Sequence, residues 1–315
     1  MELSVIICTW NRAEHLRQAL GSLQECRLPT GVEWEVIIVD NNSTDNTSTV
    51  CEEFLRREPQ RCRYIVEKRQ GKSFALNTGI ENARGRILSF TDDDVIVHPA
   101  WLAETIRMFE SSTCVGVSGK IVPLWNSDKP AWLTTEGPYK LLPAIVSYDL
   151  GEHPCELKAP ALGANLSFKK EIFEKYGLFR TDLGPTRGSE IRGEDNELCW
   201  RLLHAGERLL YAPMAIVYHP VEMRRINKRY FQAWYYGMGQ SRPRVERAPE
   251  SAVRYFGFPK YMIRWYVRDF LLWVTSLSPK RRFYYKLQFC ATKGQMMEEK
   301  TIWQDQNQQP RTDST

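Results

Sequence analysis

Apolar and polar positions along the first 220 residues follow a pattern that predicts strands and helices in turn. Continuously apolar runs predict buried strands at 3–9, 34–39, 62–66 and 86–90, and helical spacing predicts helices at 13–24, 44–57 and 73–83. Thr44 or Asp45 and Ser73 are the predicted N-caps. Strands that alternate with helices build a parallel sheet with helices on both faces, so the predicted fold class is α/β, doubly wound and mostly parallel.

The pattern becomes less regular after the fourth strand. It predicts a helix at 99–109, a strand at 115–123, a strand at 164–168, a helix at 170–176, a helix from 193 to 204 and a strand at 209–217. Residues 124–160 are rich in proline, which favours an insert or a long loop over a cleft. We therefore predict one domain over residues 1–220.

Composition and charge change beyond that domain. Hydrophobic residues make up 43% of the chain, which excludes a disordered protein. The net charge of +5 hides an asymmetry, because residues 1–220 hold 25 Lys and Arg against 30 Asp and Glu, whereas residues 221–300 hold 17 against 6. We predict a basic, aromatic helical region over 221–300 and a flexible tail over 301–315.

Polar residues follow each predicted strand of the first half. They are Thr9, Asn11 and Arg12 after the first, Asp40 and Asn42 after the second, Lys72 after the third, and Asp92, Asp93 and Asp94 after the fourth. Ligands of open parallel sheets bind beyond the carboxyl ends of the strands, so these side chains converge on one crevice. No glycine-rich dinucleotide or P-loop motif follows the first strand, although Lys72 can contact a phosphate as a point charge.

The acidic triplet Asp92-Asp93-Asp94 has two interpretations. Three adjacent carboxylates repel one another unless a cation or several hydrogen-bond donors compensate them, and Mg²⁺ or Mn²⁺ would do so while bridging a diphosphate. The alternative is a solvated acidic turn without a ligand.

Five motifs together resemble family 2 glycosyltransferases of the GT-A fold. They are Thr9-x-Asn11-Arg12, residues 36–45, residues 71–80, Phe90-Thr91-Asp92-Asp93-Asp94 and Gly193-Glu194-Asp195-Asn196-Glu197-Leu198. Each motif alone is weak, but their order and spacing over about residues 1–220 are typical of this family. The resemblance implies a nucleotide-sugar donor, with UDP the expected nucleotide, and a glycan or lipid-linked acceptor in bacterial envelope or exopolysaccharide assembly.

The resemblance also implies roles for single residues on the donor side. Thr9, Asn11, Arg12, Asp40, Asn42, Lys72, Asn77, Asp92 and Asp93 would contact the nucleotide sugar, and Asp94, Asp92 and His219 would hold Mn²⁺ or Mg²⁺. Asn77 can instead be a packing amide, and His219 can be a structural histidine.

A second acidic pair, Glu194 and Asp195, would serve the acceptor. The resemblance implies that Asp195 is the general base, with Glu194 as the second choice, and that a single displacement inverts the anomeric configuration. The alternative is that both carboxylates only stabilise a helix N-terminus.

Two other classes of function stay open at this point. A non-catalytic nucleotide-sugar-binding scaffold would carry a broken acidic motif, and both motifs are intact. A nucleotidyltransferase would need a basic, glycine-rich loop after the first strand, and residues 9–14 do not supply it.

The basic region at 221–300 and the start of the chain bear on location. Its aromatic and basic side chains suit helices in a membrane interface, but they suit equally a helical cap on the catalytic domain; no recognised nucleic-acid-binding module is present. The first residues predict no signal peptide, and the eight scattered cysteines are typical of reduced thiols. We therefore expect a cytoplasmic protein, peripheral at most to the inner face of the membrane.

Overall fold

The computed structural model describes residues 1–189 and 191–308 and divides into two compact units. The first comprises Met1–Asn126, Ile145–Arg187 and Glu194–Val221, and the second comprises Ser127–Ala144, residues 188–189 and 191–193, and residues 222–308. The main division therefore falls after Val221, and two short segments from within residues 1–220 belong to the second unit.

The first unit is a mixed, mostly parallel sheet with helices. Its strands are β1 (Leu3–Thr9), β2 (Trp34–Asp40), β3 (Cys62–Val66), β4 (Ile87–Asp92), β5 (Ile96–Val97), β6 (Gly116–Leu124), β7 (Cys155–Glu156), β8 (Leu166–Lys169) and β9 (Leu209–Pro220). Its helices are α1 (Ala13–Gln24), α2 (Thr47–Arg57), α3 (Lys72–Asn82), α4 (Trp101–Glu110), α5 (Glu171–Tyr176) and α6 (Glu194–His204). The short strands β5 and β7 carry too few residues for a hydrophobic pattern to predict them.

The nine strands lie in the order β3-β2-β1-β4-β8-β6-β9-β5, with β7 beside β9. The pairs among β1 to β4 are parallel, as is the β6–β9 pair, whereas β8 is antiparallel to both of its neighbours. Because β1, β2 and β4 run in the same direction, their carboxyl ends meet at one edge of the sheet.

Alternate residues of the strands supply the cores on the two faces of the sheet. In β1, Val5 and Ile7 pack with Leu16 of α1, whereas Ile6 between them packs with Ile80 of α3. Burial on both faces explains why these strands are continuously apolar in sequence, which is typical of parallel strands.

The start of α3 differs from the prediction. Gly71, with φ of 140°, is the N-cap, and Ser73 lies inside the helix. The Ser73 hydroxyl donates instead to the carbonyl oxygen of Leu183 at 2.7 Å, so it fixes a distant loop to α3 and does not cap the helix.

Asn165 joins three parts of the first unit. Its Nδ2 donates to the carbonyl oxygens of Lys120 (3.0 Å) and Ala215 (2.8 Å), at a register shift between β6 and β9, and its Oδ1 accepts from Trp101 Nε1 at 2.8 Å. The amide is buried and lies in a 3-10 turn at Gly163–Asn165. A buried side chain that satisfies three groups at once fixes the position of this turn.

The second unit consists mainly of helices, α7 (Lys228–Val245), α8 (Lys260–Thr275) and α9 (Pro279–Gln308), with a small hairpin of β10 (Arg254–Tyr255) and β11 (Phe258–Pro259). Two glycines allow α7 and α9 to touch through their backbones. A Cβ atom on Gly239 would lie 2.0 Å from the carbonyl oxygen of Ala291, and one on Gly294 would lie 2.1 Å from that of Tyr236. Any larger residue at either position would push the two helices apart.

Part of the predicted tail is helical. Residues 301–308 continue α9 as helix, so polar composition alone did not locate the end of that element. The rest of the expected tail, residues 309–315, lies outside the described residues.

We predict that Asn165→Ala lowers the free energy of unfolding by about 3 kcal/mol, because it leaves a buried indole N–H and two buried carbonyl groups without partners. Urea unfolding followed by tryptophan fluorescence measures the change. Asn126→Ala, at an exposed position, is the control and should stay within about 0.5 kcal/mol of the unsubstituted chain. Equal stability of the two variants would contradict the anchoring role.

Candidate active site

The three aspartates stand at the carboxyl end of β4 and in the turn after it. Asp92 is the last residue of β4, and Asp93 and Asp94 are buried. The Arg12 guanidinium, just before α1, donates to Asp93 Oδ1 at 2.9 Å and to Asp94 Oδ2 at 2.7 Å. These contacts, not solvent, compensate two of the three carboxylates, so the solvated-turn interpretation of the triplet is wrong.

Lys72 compensates the third carboxylate and also reaches the second acidic pair. Its Nζ lies 2.7 Å from Asp92 Oδ1 and 3.6 Å from Glu194 Oε1. Burial by itself would raise the pKa of Asp92, but the Lys72 ammonium outweighs it and lowers the pKa to about 2. A single ammonium at the start of α3 therefore connects the acidic end of β4 with the start of α6.

Burial has the opposite result at Asp93. It raises the pKa of Asp93 to about 7, with a further contribution from the Asp94 charge, although Arg12 opposes the shift. Asp93 therefore accepts a proton more readily than Asp92 does. Its Oδ1 stays paired with Arg12 and is turned toward α1.

Asp92, Asp94 and His219 form a group whose ligand atoms lie within 4.8 Å of one another. Asp94 Oδ1 is buried, has no hydrogen-bond partner among the described residues, and lies 3.4 Å from His219 Nε2 at the end of β9. Two ligands that each stand about 2.1 Å from one ion at right angles are about 3 Å apart. Carboxylate oxygens with an imidazole nitrogen suit Mn²⁺ or Mg²⁺, so these residues fit a divalent cation.

The second acidic pair begins α6. Asp195 is partly buried; its Oδ2 accepts from the backbone N–H of Gly163 at 2.6 Å, and its Oδ1 accepts from the N–H of Asn196 at 2.8 Å. Burial and the adjacent Glu194 charge raise the pKa of Asp195 to about 6, while Lys72 opposes the rise. Each oxygen keeps a lone pair for another proton, and the pKa suits a base near neutral pH.

Glu194 has a different environment from Asp195. It is only 4% exposed and one of its oxygens faces Lys72. The geometry therefore favours Asp195 over Glu194 for contact with an exogenous group. A carboxylate that only stabilised the helix N-terminus would not need the contact with Gly163, which lies 32 residues away in the chain.

The residues expected to contact a nucleotide lie at the neighbouring strand ends. Thr9, buried at the end of β1, is in register with Asp40 of β2. Asp40 Oδ2 accepts from Tyr64 OH at 3.0 Å and its Oδ1 accepts from Ser43 N at 2.8 Å. These contacts fix the carboxylate at the sheet edge.

Asn11 and Asn42 shape the turns beside these strand ends. Both have positive φ, 52° and 64°, a conformation that asparagine tolerates better than most residues. Asn11 Oδ1 accepts from the backbone N–H of Thr44 at 2.6 Å, so the turns after β1 and β2 are joined by this side chain. The two asparagines therefore build the rim of the crevice.

Asn77 is fixed by the protein itself. Its Nδ2 donates to the carbonyl oxygen of Phe179 at 2.8 Å, and its Oδ1 accepts from the Phe179 N–H at 3.0 Å. The side chain is buried in α3. Of the two interpretations that the sequence left open, these bonds favour the packing amide.

Two other residues position this region and were not identified from the sequence. Asn41 donates to the carbonyl oxygens of Glu67 and Arg69 and accepts from the Gly71 N–H at 2.8 Å, which fixes the loop that leads into Lys72. Gly163 orients Asp195 through a backbone group. The position of Asn41 directly after Asp40, at a strand end, could have indicated its role. The role of Gly163 could not be predicted from side-chain chemistry, because it acts through its backbone N–H.

The sequence resembles that of known proteins. Residues 4–177 match the model of a family described as Glycosyl transferase family 2. A similar protein is the glucosyl-dolichyl phosphate glucuronosyltransferase of Haloferax volcanii, with 25% identity over 221 residues that cover 70% of this chain and 69% of that protein.

Two solved structures share the fold. The mannosyltransferase PcManGT from Pyrobaculum calidifontis, in complex with GDP-Man and Mn²⁺, has a TM-score of 0.56 at 19% identity over 94% of this chain and 73% of its own. GalNAc-T7 with UDP, GalNAc and Mn²⁺ has a TM-score of 0.58 at 16% identity over 79% of this chain and 52% of its own. These likenesses confirm the predicted fold class, a mostly parallel α/β sheet of the GT-A type with a C-terminal helical extension.

Proposed function

The chain belongs to glycosyl transferase family 2, and on that premise we propose that it is an inverting, metal-dependent glycosyltransferase that moves a sugar from a nucleoside diphosphate to a hydroxyl acceptor. One observation carries the proposal. Two acidic sites stand side by side: Asp92 and Asp94 with His219, and Asp195 with Glu194, with Lys72 between them. Transfer by single displacement needs one site for the leaving diphosphate and another for the acceptor proton.

The proposed reaction needs a single general base. An acceptor hydroxyl oxygen attacks C1 of the sugar while the bond from C1 to the diphosphate oxygen breaks, and its electron pair leaves with the nucleoside diphosphate. The hydroxyl proton passes to Asp195, whose orientation is set by the Gly163 N–H. Because the attack comes from the face opposite the leaving group, the anomeric configuration inverts.

The leaving diphosphate needs positive charge near it. Asp92, Asp94 and His219 would hold Mn²⁺ or Mg²⁺, which when bound stabilises the charge that grows on the leaving phosphate. Lys72 supplies a second positive charge beside Asp92, and Arg12 holds Asp94 in place through its Oδ2. Both similar solved structures contain Mn²⁺, which supports the choice of ion.

The nucleotide would bind at the ends of β1 and β2. Asp40 would meet the base, Thr9, Asn11, Arg12 and Asn42 would line the pocket, and Asp93 would stand between the metal ligands. UDP is the nucleotide we propose for this pocket. The structure of GalNAc-T7 holds UDP, whereas that of PcManGT holds GDP-Man, so both nucleotides belong in the test.

We propose a glycan or a lipid-linked sugar as acceptor, used in the assembly of a cell-surface polysaccharide. Support comes from the Haloferax volcanii relative, whose name specifies a glucosyl-dolichyl phosphate. Such an acceptor would place the reaction at the cytoplasmic face of a membrane.

Nucleotide binding tests the donor side. We predict that UDP with Mn²⁺ raises the melting temperature by several degrees, and that EDTA or Asp94→Asn removes most of this shift, because Asp94 offers a buried carboxylate oxygen to the ion. Differential scanning fluorimetry with UDP, GDP and dTDP, each with Mn²⁺, Mg²⁺ or EDTA, measures it. Asp128→Asn, in an exposed loop, is the control and should keep the full shift. A nucleotide shift that survives both EDTA and Asp94→Asn would contradict the metal site.

The acid–base role of Asp195 is tested by pH dependence. We predict that kcat/KM rises with pH through about 6 and then levels, because only the ionised Asp195 accepts the proton. Asp195→Asn should lower kcat by about 10²- to 10⁴-fold while UDP with Mn²⁺ still shifts the melting temperature.

Glu104→Gln is the matched control for Asp195→Asn, since Glu104 lies in the first turn of α4 as Asp195 does in α6. It should leave kcat unchanged. If both variants lose the same small amount of activity and stability, the carboxylates only stabilise their helices.

The stereochemical outcome tests the single displacement. We predict that ¹H NMR of the first product, recorded before any anomeric equilibration, shows the configuration opposite to that of the donor sugar. Retention would show that a second carboxylate acts as a nucleophile and would overturn the mechanism while leaving the transfer activity itself intact.

A further inference from the structure

Helix α8 leaves most of its apolar residues uncovered. Among its side chains only Met262 and Asp269 are buried, whereas Trp265, Val267, Phe270, Leu271 and Val274 are each at least 40% exposed. Leu277, just after the helix, is 98% exposed. Helices of a water-facing protein present charged or polar residues on such a surface, so this one calls for another environment.

The inner side of α8 is accounted for by the second unit itself. Tyr266 and Trp273 stack near Phe289 of α9, with ring centroids 4.6 and 5.3 Å apart, and Thr292 Oγ1 donates to the buried Asp269 at 2.6 Å. These contacts hold α8 against α9 in one orientation. The exposed side, formed by Val267, Leu271 and Val274, is named here the outer face of α8.

The outer face of α8 is exposed, whereas α7 and α9 bury large apolar side chains. On α7, Phe231 and Tyr235 are buried, and on α9 Phe283 and Leu287 are buried, with Trp132 edge-on to both phenylalanine rings at 5.2 Å. The aromatic residues of α7 and α9 therefore form a core. These side chains of α7 and α9 are thus covered within the second unit, whereas the outer face of α8 is not.

Positive charge surrounds the outer face. Residues 254–293 hold nine Lys and Arg against a single acidic residue, Asp269, and that carboxylate is buried and bonded to Arg268 and Thr292. Arg264 lies beside Val267 on the helix, and Lys280, Arg281 and Arg282 are exposed at the start of α9. The surface is therefore apolar in the centre and cationic at its edges.

We propose that the outer face of α8, together with Leu277, binds the surface of an anionic lipid bilayer, with α8 lying in the plane of the interface. Val267, Leu271 and Val274 would enter the acyl boundary while Arg264, Lys280 and Arg282 meet lipid phosphates. The helix has 16 residues and is about 24 Å long, and within residues 1–189 and 191–308 no helix has both the length and the apolarity to traverse a bilayer.

Charge decides between a lipid surface and a second copy of the chain. A symmetric dimer through the outer face would bring two sets of these cations together with no exposed carboxylate between residues 254 and 293 to neutralise them. Anionic headgroups supply the missing negative charge. The inference does not rest on the transferase reaction, because vesicle binding needs neither donor nor acceptor.

Co-sedimentation of the full chain with vesicles tests the proposal. We predict binding to vesicles of phosphatidylcholine with phosphatidylglycerol, and binding at least about tenfold weaker to phosphatidylcholine alone. Val267→Asp/Leu271→Asp should weaken binding to the anionic vesicles by about tenfold or more. The matched control, Leu150→Asp/Met214→Asp, changes two equally exposed apolar residues of the first unit and should bind as the unsubstituted chain does.

A second variant separates the charges from the apolar face. Lys280→Gln/Arg281→Gln/Arg282→Gln should lose about tenfold or more in affinity for anionic vesicles and remove most of its salt dependence. Arg56→Gln/Arg57→Gln/Arg107→Gln, at exposed positions of α2 and α4, is its control. Circular dichroism melting of each variant checks that it folds.

Two results would overturn the proposal. One is equal vesicle binding by the α8 variant and its control. The other is a dimer in analytical ultracentrifugation that Val267→Asp/Leu271→Asp dissociates while the unsubstituted chain ignores anionic vesicles, which would assign the outer face to a second copy.

Discussion

Three carboxylates at the end of one strand repel each other strongly, and the arrangement of the first unit follows from how that repulsion is compensated. Arg12 reaches Asp93 and Asp94 from the start of α1, and Lys72 reaches Asp92 from the start of α3. Arg12 follows β1, which lies beside β4, and Lys72 begins the helix that follows β3 of the same parallel sheet, so the parallel strands bring both cations to the carboxyl end of β4. The compensation leaves Asp94 Oδ1 directed toward His219, which is why a divalent cation fits there.

Much of this could be predicted from the sequence because parallel strands bring their carboxyl ends together. The positions of Asp40 and Asp92 follow from a hydrophobic run that ends in a polar residue, and the position of the Glu194-Asp195 pair follows from the predicted start of a helix. What escaped prediction depends on contacts between distant parts of the chain. The Gly163 N–H that orients Asp195 and the Asn165 amide that anchors the same turn have no pattern of their own, and Ser73 was misassigned because a serine near a helix start resembles a cap.

The second unit illustrates the same limit in another form. Its composition predicts basic and aromatic helices, but composition does not tell which side of a helix packs against other residues. Phe231 and Phe283 meet around Trp132, whereas Leu271 meets no such partner, and only the tertiary arrangement separates the two. Helical periodicity is equally consistent with a face that packs on protein and a face that packs on lipid.

The glycine contacts between α7 and α9 limit how this unit can change over evolutionary time. Gly239 and Gly294 belong to helices that are separated by α8 in the chain, and each fits against the backbone of the other helix. Neither glycine can be replaced alone without separating the two helices, whereas the outward-facing residues of α8 are not limited by this contact. Substitutions can therefore accumulate on the outward side of α8 while α7 and α9 stay paired. A transfer of this unit into another protein would have to keep both glycines.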